Sequence, residues 1–200
     1  MKKFKPIRVF CEENLDPQQI ILGISAIRQL LEIAGATDLV GVELHDLVDL
    51  NHYHVEHDGH RFLHGGAIQG YMYIEDYRSK HEYINFLLTQ NYLWVNRDGV
   101  GRPIQGFALS ETFGIVVVGV KNDKMNNLIE IITIFHELGH IYGLPGKDRD
   151  NLVETATTAG KHCPNACVMS MGNEMFEKAD LFEKPFCDQC LADLQKFFKE

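Results

Sequence analysis

The run HELGH places a histidine at 136, a glutamate at 137 and a second histidine at 140, with Gly143 three residues further on. Residues four apart on a helix point the same way, so both imidazoles can hold one Zn²⁺. Glu137 is one residue past His136 and leans beside the metal rather than onto it. From there a carboxylate can take a proton from a zinc-activated water, while the metal polarises a substrate carbonyl. Attack on that carbonyl, with Glu137 as general base passing the proton to a leaving amine, is peptide-bond hydrolysis. Two histidines alone hold zinc poorly, so a third ligand must come from elsewhere. The residues themselves leave Asp148, Asp150, Glu154, His162 and Glu174 open.

A second metal pattern follows. Four of the five cysteines come after residue 160, as Cys163 with Cys167 and Cys187 with Cys190. Two short-spaced pairs about twenty residues apart make a tetrahedral Cys₄ zinc pattern. In a reducing compartment such a cluster is more often metal-binding than disulfide-bonded. A redox reading of Cys187-Asp-Gln-Cys190 is the weaker one, since a thioredoxin-like motif follows an early strand of a βαβ unit.

These residues need a scaffold. KPIRVF (5–10) reads as a first strand. Asp16-Pro17-Gln18-Gln19 starts a helix that ends near Gly35, with an N-cap, a proline at the first position and apolar residues on one face. Residues 38–47 and 67–76 read as strands and 77–91 as a helix. A turn falls at Asp98-Gly99. Strands follow over 104–110 and 113–120, the second of them buried. The motif helix begins between Asp123 and Asn127 and ends at Gly143. Its core stripe is Leu128, Ile131, Ile132, Phe135, Leu138 and Tyr142, with the two histidines beside it. A last helix starts near Asp188. The alternation predicts a mixed α/β sheet, with 1–143 as an N-terminal lobe and 144–200 as a small, irregular C-terminal lobe of one domain.

With both motifs in place, the chain resembles the archaemetzincins, within the metzincin clan of zinc metallopeptidases. Their pattern is HExxHxxGxx, then His-Cys, a second Cys, one residue and Met, then seventeen residues and CxxC. Here it is met by HELGHIYGLP, KHCPNACVM and FCDQC, with the seventeen-residue gap kept between Met169 and Cys187. The resemblance implies His162 as third ligand of the catalytic zinc and Met169 as the Met-turn residue beneath it. It also implies a structural zinc on Cys163, Cys167, Cys187 and Cys190, hence two zinc ions per chain. Two departures are local. Sixteen residues, 146–161, precede His162, and the first cysteine pair has three intervening residues where the family has four. Because the extra segment lies between two ligands of one metal, it must loop out and return beside the site. GFALSET (106–112) is where a metzincin has its edge strand, and an edge strand can pair with an extended peptide.

Composition narrows the partners. Two hundred residues suit one domain. A net charge of −9 argues against nucleic-acid binding, and no apolar run is long enough to span a bilayer. IRVF is too short for a signal-peptide core, so the expected location is cytoplasmic. Five histidines in HYHVEHDGHRFLHGG (52–66) read as a solvated loop rather than a further metal site. Cys11 reads as a buried apolar residue. The expectation is a zinc metallopeptidase acting on a peptide or protein. The alternative is a silent or latent zinc-binding protein whose cleft is covered by 146–161.

Overall fold

The computed structural model describes residues 3–97, 99–119, 124–154, 161–170 and 183–199, with the backbone alone at residues 97 and 124–126. Of the candidate third ligands, Glu174 therefore lies outside the described residues, as does the stretch 155–160 of the extra segment.

Strand β1 (Ile7–Glu12) leads into helix α1 (Pro17–Ala34). The helix starts where the Asp16 side chain accepts from the Gln18 N–H at 2.8 Å. It stops at Gly35, whose φ of 69° is left-handed and lets Ala36 N–H reach back to Leu31 O at 2.8 Å. Then come β2 (Val42–Val48), β3 (His54–His57), β4 (His60–His64), α2 (Gly65–Arg78) and β5 (Ile84–Thr89). They are followed by β6 (Leu93–Arg97), β7 (Val100–Ile104), β8 (Gly106–Leu109), β9 (Phe113–Val117), α3 (Lys124–Ile141) and α4 (Asp188–Lys199). Five strands form one sheet in the order β2-β1-β5-β9-β8, all parallel except β8, which runs antiparallel to β9 at the edge. A second sheet has the order β3-β4-β6-β7.

Alternation along the central strands divides the apolar residues between two cores. Ile7, Val9, Cys11, Phe86, Leu88 and Val116 face a core shared with α1, α3 and α4. Phe10, Leu87, Phe113 and Ile115 face the other, which includes Ile68 and Met72 of α2 and Leu63 and Leu93 of the second sheet. The first core also takes in Cys163, Cys167, Val168, Met169, Phe186 and Cys190, so the cysteine region is built onto the same apolar mass as the motif helix. Cys11 is fully buried, as expected.

Three expectations are corrected. Residues 67–76 are helical, within α2. Ile68, Met72 and Asp76 are buried at four-residue spacing, and the helix is capped by a residue outside the usual set, His64, whose Nδ1 accepts from Ala67 N–H at 3.1 Å. Residues 77–91 are not a helix. A turn with left-handed Lys80 and His81 interrupts them, and β5 then buries all six of its residues. A strand covered on both faces reads as a continuous apolar run, which periodicity alone does not distinguish from a helix. The histidine-rich stretch is not a loop. It forms the β3–β4 hairpin and the start of α2, where His57 stacks on Trp94 at 3.9 Å and Arg61 bonds His54 Nδ1 and Asn51 Oδ1, both at 3.0 Å. No metal-sized group of its histidines occurs among the described residues. Nor, among them, is any helix long and apolar enough to cross a membrane.

Candidate metal centres

Helix α3 carries the first centre. Ile132, Phe135, Leu138 and Tyr142 are buried as the stripe required, with Leu128 and Ile131 packed partly against the core. This holds the neighbouring face, with His136 and His140, in place. The two Nε2 atoms lie 3.1 Å apart. The His136 Nδ1 donates to Val168 O at 2.7 Å, and the His140 Nδ1 to Leu144 O at 2.9 Å. A carbonyl can only accept, so each Nδ1 carries the hydrogen and each Nε2 offers a lone pair to the same space.

Both acceptors are placed by the local chain. Gly143, at φ 77°, reverses the backbone after α3 so that Leu144 N–H bonds Gly139 O at 2.8 Å and its carbonyl faces His140. The Val168 carbonyl lies in a tight loop closed by Cys163 N–H to Met169 O and Ser170 N–H to Cys167 O, at 2.8 and 2.9 Å. Met169 is fully buried against α3 at Gly139, where an added Cβ would meet the methionine sulfur and lie 3.0 Å from its methyl carbon. A glycine in mid-helix costs stability relative to alanine, and here it makes room for that side chain.

His162 completes the group. Its ring centroid lies 5.3 Å from that of His136 and 5.2 Å from that of His140, and one nitrogen from each of the three rings falls within 4.8 Å of the others. The extra segment returns as its position requires: Val153 and His162 form an antiparallel bridge, with N–H to O distances of 2.9 and 2.8 Å. Asp148, Asp150 and Glu154 do not join any such group among the described residues. Burial first, then the charge of neighbouring imidazoles, pulls His136 down to about 3 and His140 to about 4, so both are neutral donors at pH 7.

Glu137 is buried, which pushes its carboxyl up to about 8. It lies against the edge strand: a Cβ added at Gly106 of β8 would come 2.7 Å from Glu137 Cγ and 2.8 Å from its Cδ. Sequence reasoning missed Gly106. The available signal was a glycine opening an apolar strand, which marks a close backbone approach. A cavity of about 280 Å³ adjoins His140. It is lined by Ser110, Leu144 and Pro145, and by Lys147, Leu152 and Lys161 of the extra segment, which thus forms part of the wall beside the centre.

The second centre joins Cys163, Cys167, Cys187 and Cys190, whose sulfurs lie within 4.8 Å of one another without a disulfide. A hydrogen bond from the Cys190 side chain is the main cause that pulls Cys167 down to about 6. Three ring nitrogens suit a metal with an open position, and four sulfurs suit a closed, structural one. The donor sets therefore fit the two zinc ions the sequence pointed to.

The mixed α/β architecture with its His₃ and Cys₄ groups matches the fold of solved zinc-peptidase structures. The particular resemblances are to solved structures. An archaemetzincin from Methanopyrus kandleri aligns at TM-score 0.66 with 21% identity, over 99% of this chain and 97% of that one. A zinc-dependent peptidase from Methanocorpusculum labreanum aligns at 0.59 with 17% identity, over 94% and 99%. Metalloproteinase-II from Bacteroides fragilis aligns at 0.52 with 13% identity, over 96% of this chain and 53% of its own. No family model and no curated protein sequence matches the chain.

Proposed function

We propose that this chain is a zinc-dependent peptidase of the archaemetzincin family, with one catalytic and one structural zinc. His136, His140 and His162 hold the catalytic ion through ring nitrogens, and Cys163, Cys167, Cys187 and Cys190 hold the structural one. When bound, the catalytic zinc supplies Lewis acidity, which acidifies water and polarises a carbonyl. Glu137 is the general base: its buried carboxylate takes the proton of the attacking water and returns it to the leaving amine. Strand β8, at the sheet edge, can hydrogen-bond an extended peptide beside that carboxylate. Met169 supports α3 from below, and the carbonyls of Val168 and Leu144 orient the two helix-borne rings.

The observation that carries this reading is the geometry around α3. Two imidazoles have their Nδ1 atoms committed to backbone carbonyls, a third ring stands beside them, and a buried carboxylate lies against an edge strand. The test is Glu137→Ala assayed on a broad peptide library with the metal content measured alongside. The variant should keep two zinc ions and lose hydrolysis. Hydrolysis at the native rate would sink the general base, and a native protein with both zincs that cuts nothing would favour the silent reading. Lys147, Leu152 and Lys161 in the cavity wall are the observation on which latency rests, since they put the extra segment beside the centre.

A further inference from the structure

A zinc ion held by four thiolates has a net charge of −2. In a site where Cys163, Cys167 and Cys190 are buried, that charge needs donors and a counter-charge. Each sulfur takes at least one N–H donor, and Cys163 and Cys167 also accept the backbone N–H groups of Asn165 and Met169. Cys187 N–H donates to Cys167 Sγ at 3.4 Å, and Asn165 Nδ2 to Cys187 Sγ at 3.5 Å. The other two sulfurs are served by one side chain, Arg149, which donates from one nitrogen to Cys190 Sγ at 3.1 Å and from the other to Cys163 Sγ at 3.4 Å. Of these donors, Arg149 alone carries a charge. Its side chain is only 12% exposed.

Arg149 belongs to the extra segment that separates the catalytic histidines in sequence. The same guanidinium bonds Gln189 Oε1 at 2.9 Å, lies 3.7 Å from Asp193 Oδ2 and reaches Asn151 Oδ1 at 3.3 Å from Nε. Gly146 N–H donates to the same Asp193 oxygen at 3.1 Å. Four residues after Arg149 and one after Leu152, Val153 makes its bridge to His162. The path from one metal centre to the other therefore runs from the sulfurs through Arg149 and a short backbone run to the backbone of the third histidine. Adjacency of His162 and Cys163 provides a first link between the centres, and the Arg149 path provides a second that passes through the cavity wall.

We propose that Arg149 is the charge partner of the four-cysteine zinc centre and straps segment 146–154, and with it His162, to that centre. It acts as a positioning residue. A planar, always charged fork matches two sulfurs at once, which neither glutamine nor lysine reproduces. The inference rests on the cysteines holding zinc, and the zinc count of the native protein tests that separately: a native chain without thiolate-held zinc ends the metal reading, whatever Arg149 does.

The experiment follows zinc transfer from the native protein, Arg149→Gln and Arg149→Lys to a chromophoric chelator, and amide hydrogen exchange at Val153 and His162. Loss of a partner around metal ligands commonly costs 10–100-fold in affinity, so Arg149→Gln should release the thiolate-held zinc at least about tenfold faster. Arg149→Lys, which keeps charge without the fork, should fall between and serves if the Gln variant does not fold. The Val153 and His162 amides should exchange faster in both. Native release rates in the variants overturn the proposal, and faster release with native exchange at both amides overturns the strap.

Discussion

At Gly106 a single added methyl group tests how closely Glu137, the proposed general base, is held. A Cβ there would come 2.7 Å from Glu137 Cγ, closer than side chains pack, so the carboxylate must move. Misplacement of about 1 Å at a reacting group can cost about 10²-fold in rate. Gly106→Ala should therefore lower kcat/KM by about that factor while zinc content stays native. Native turnover would show that the carboxylate has room to spare. The acidity of Glu137 gives a second prediction. Its folded carboxyl titrates at about 8, above the usual carboxylate range, so the folded chain holds a proton that the unfolded chain has already lost. Its contribution to stability is complete at low pH and is lost as pH rises through 8. Other groups titrate in the same range, so the difference between native protein and Glu137→Gln isolates it. With chelator present, the native protein should lose about 2 kcal/mol relative to Glu137→Gln between pH 6 and 8, at 1.36 kcal/mol per pH unit. With zinc restored, the cation favours the carboxylate and the difference curve should flatten, which urea titrations across pH can check. His136, Glu137 and His140 were legible in the sequence because helix geometry brings them together locally. His162 was legible only through the resemblance to the archaemetzincins, since spacing alone left four acids and one histidine open. Gly106 meets Glu137 only across the β8–α3 packing.

Elements place these residues, and the end of α3 shows how. Gly143 holds φ 77°, which costs a residue with a Cβ about 1–2 kcal/mol. The turn it permits brings the Leu144 carbonyl to His140. Gly143→Ala should lower stability by about 1 kcal/mol and weaken zinc binding at the histidines, about tenfold or more as for other lost partners of metal ligands. Thermal melts and competition with a chelator read the two effects, and unchanged zinc affinity would mean that the Leu144 bond does not orient the ring. α1, α3 and α4 were readable from caps and 3.6-residue periodicity, and β8 and β9 from their short apolar runs. α2 and β5 were misassigned for physical reasons. The tyrosines and isoleucines of α2 favour strands, and its cap is a histidine. β5 is apolar on both faces, so it carries no alternation to identify it.

On the scale of the molecule, the two centres share one apolar core with the sheet. Cys163 and Cys167 precede Met169 in the loop under α3, while Cys187 and Cys190 lie at and just inside the start of α4. Leu194 and Phe198 of α4 are buried in that core, and Phe198 packs on Phe4 and Tyr142 at ring distances of 5.1 and 4.8 Å. A metal on the four sulfurs thus ties the last helix to the loop that supports Met169 and orients His136. Such sites contribute their binding energy to folding, since the unfolded chain does not gather the ligands. The paired substitution Cys187→Ser with Cys190→Ser should therefore do more than remove one zinc. His162 adjoins Cys163 and Val168 follows Cys167, so the histidine centre should lose affinity too. The double variant should hold well under one zinc per chain at concentrations where the native protein is expected to hold two, and should melt at a lower temperature. Atomic absorption and a circular-dichroism melt check both. A variant that keeps one tightly held zinc with native affinity would show that the sheet and α3 organise the histidines unaided, and that the cysteine centre serves α4 alone.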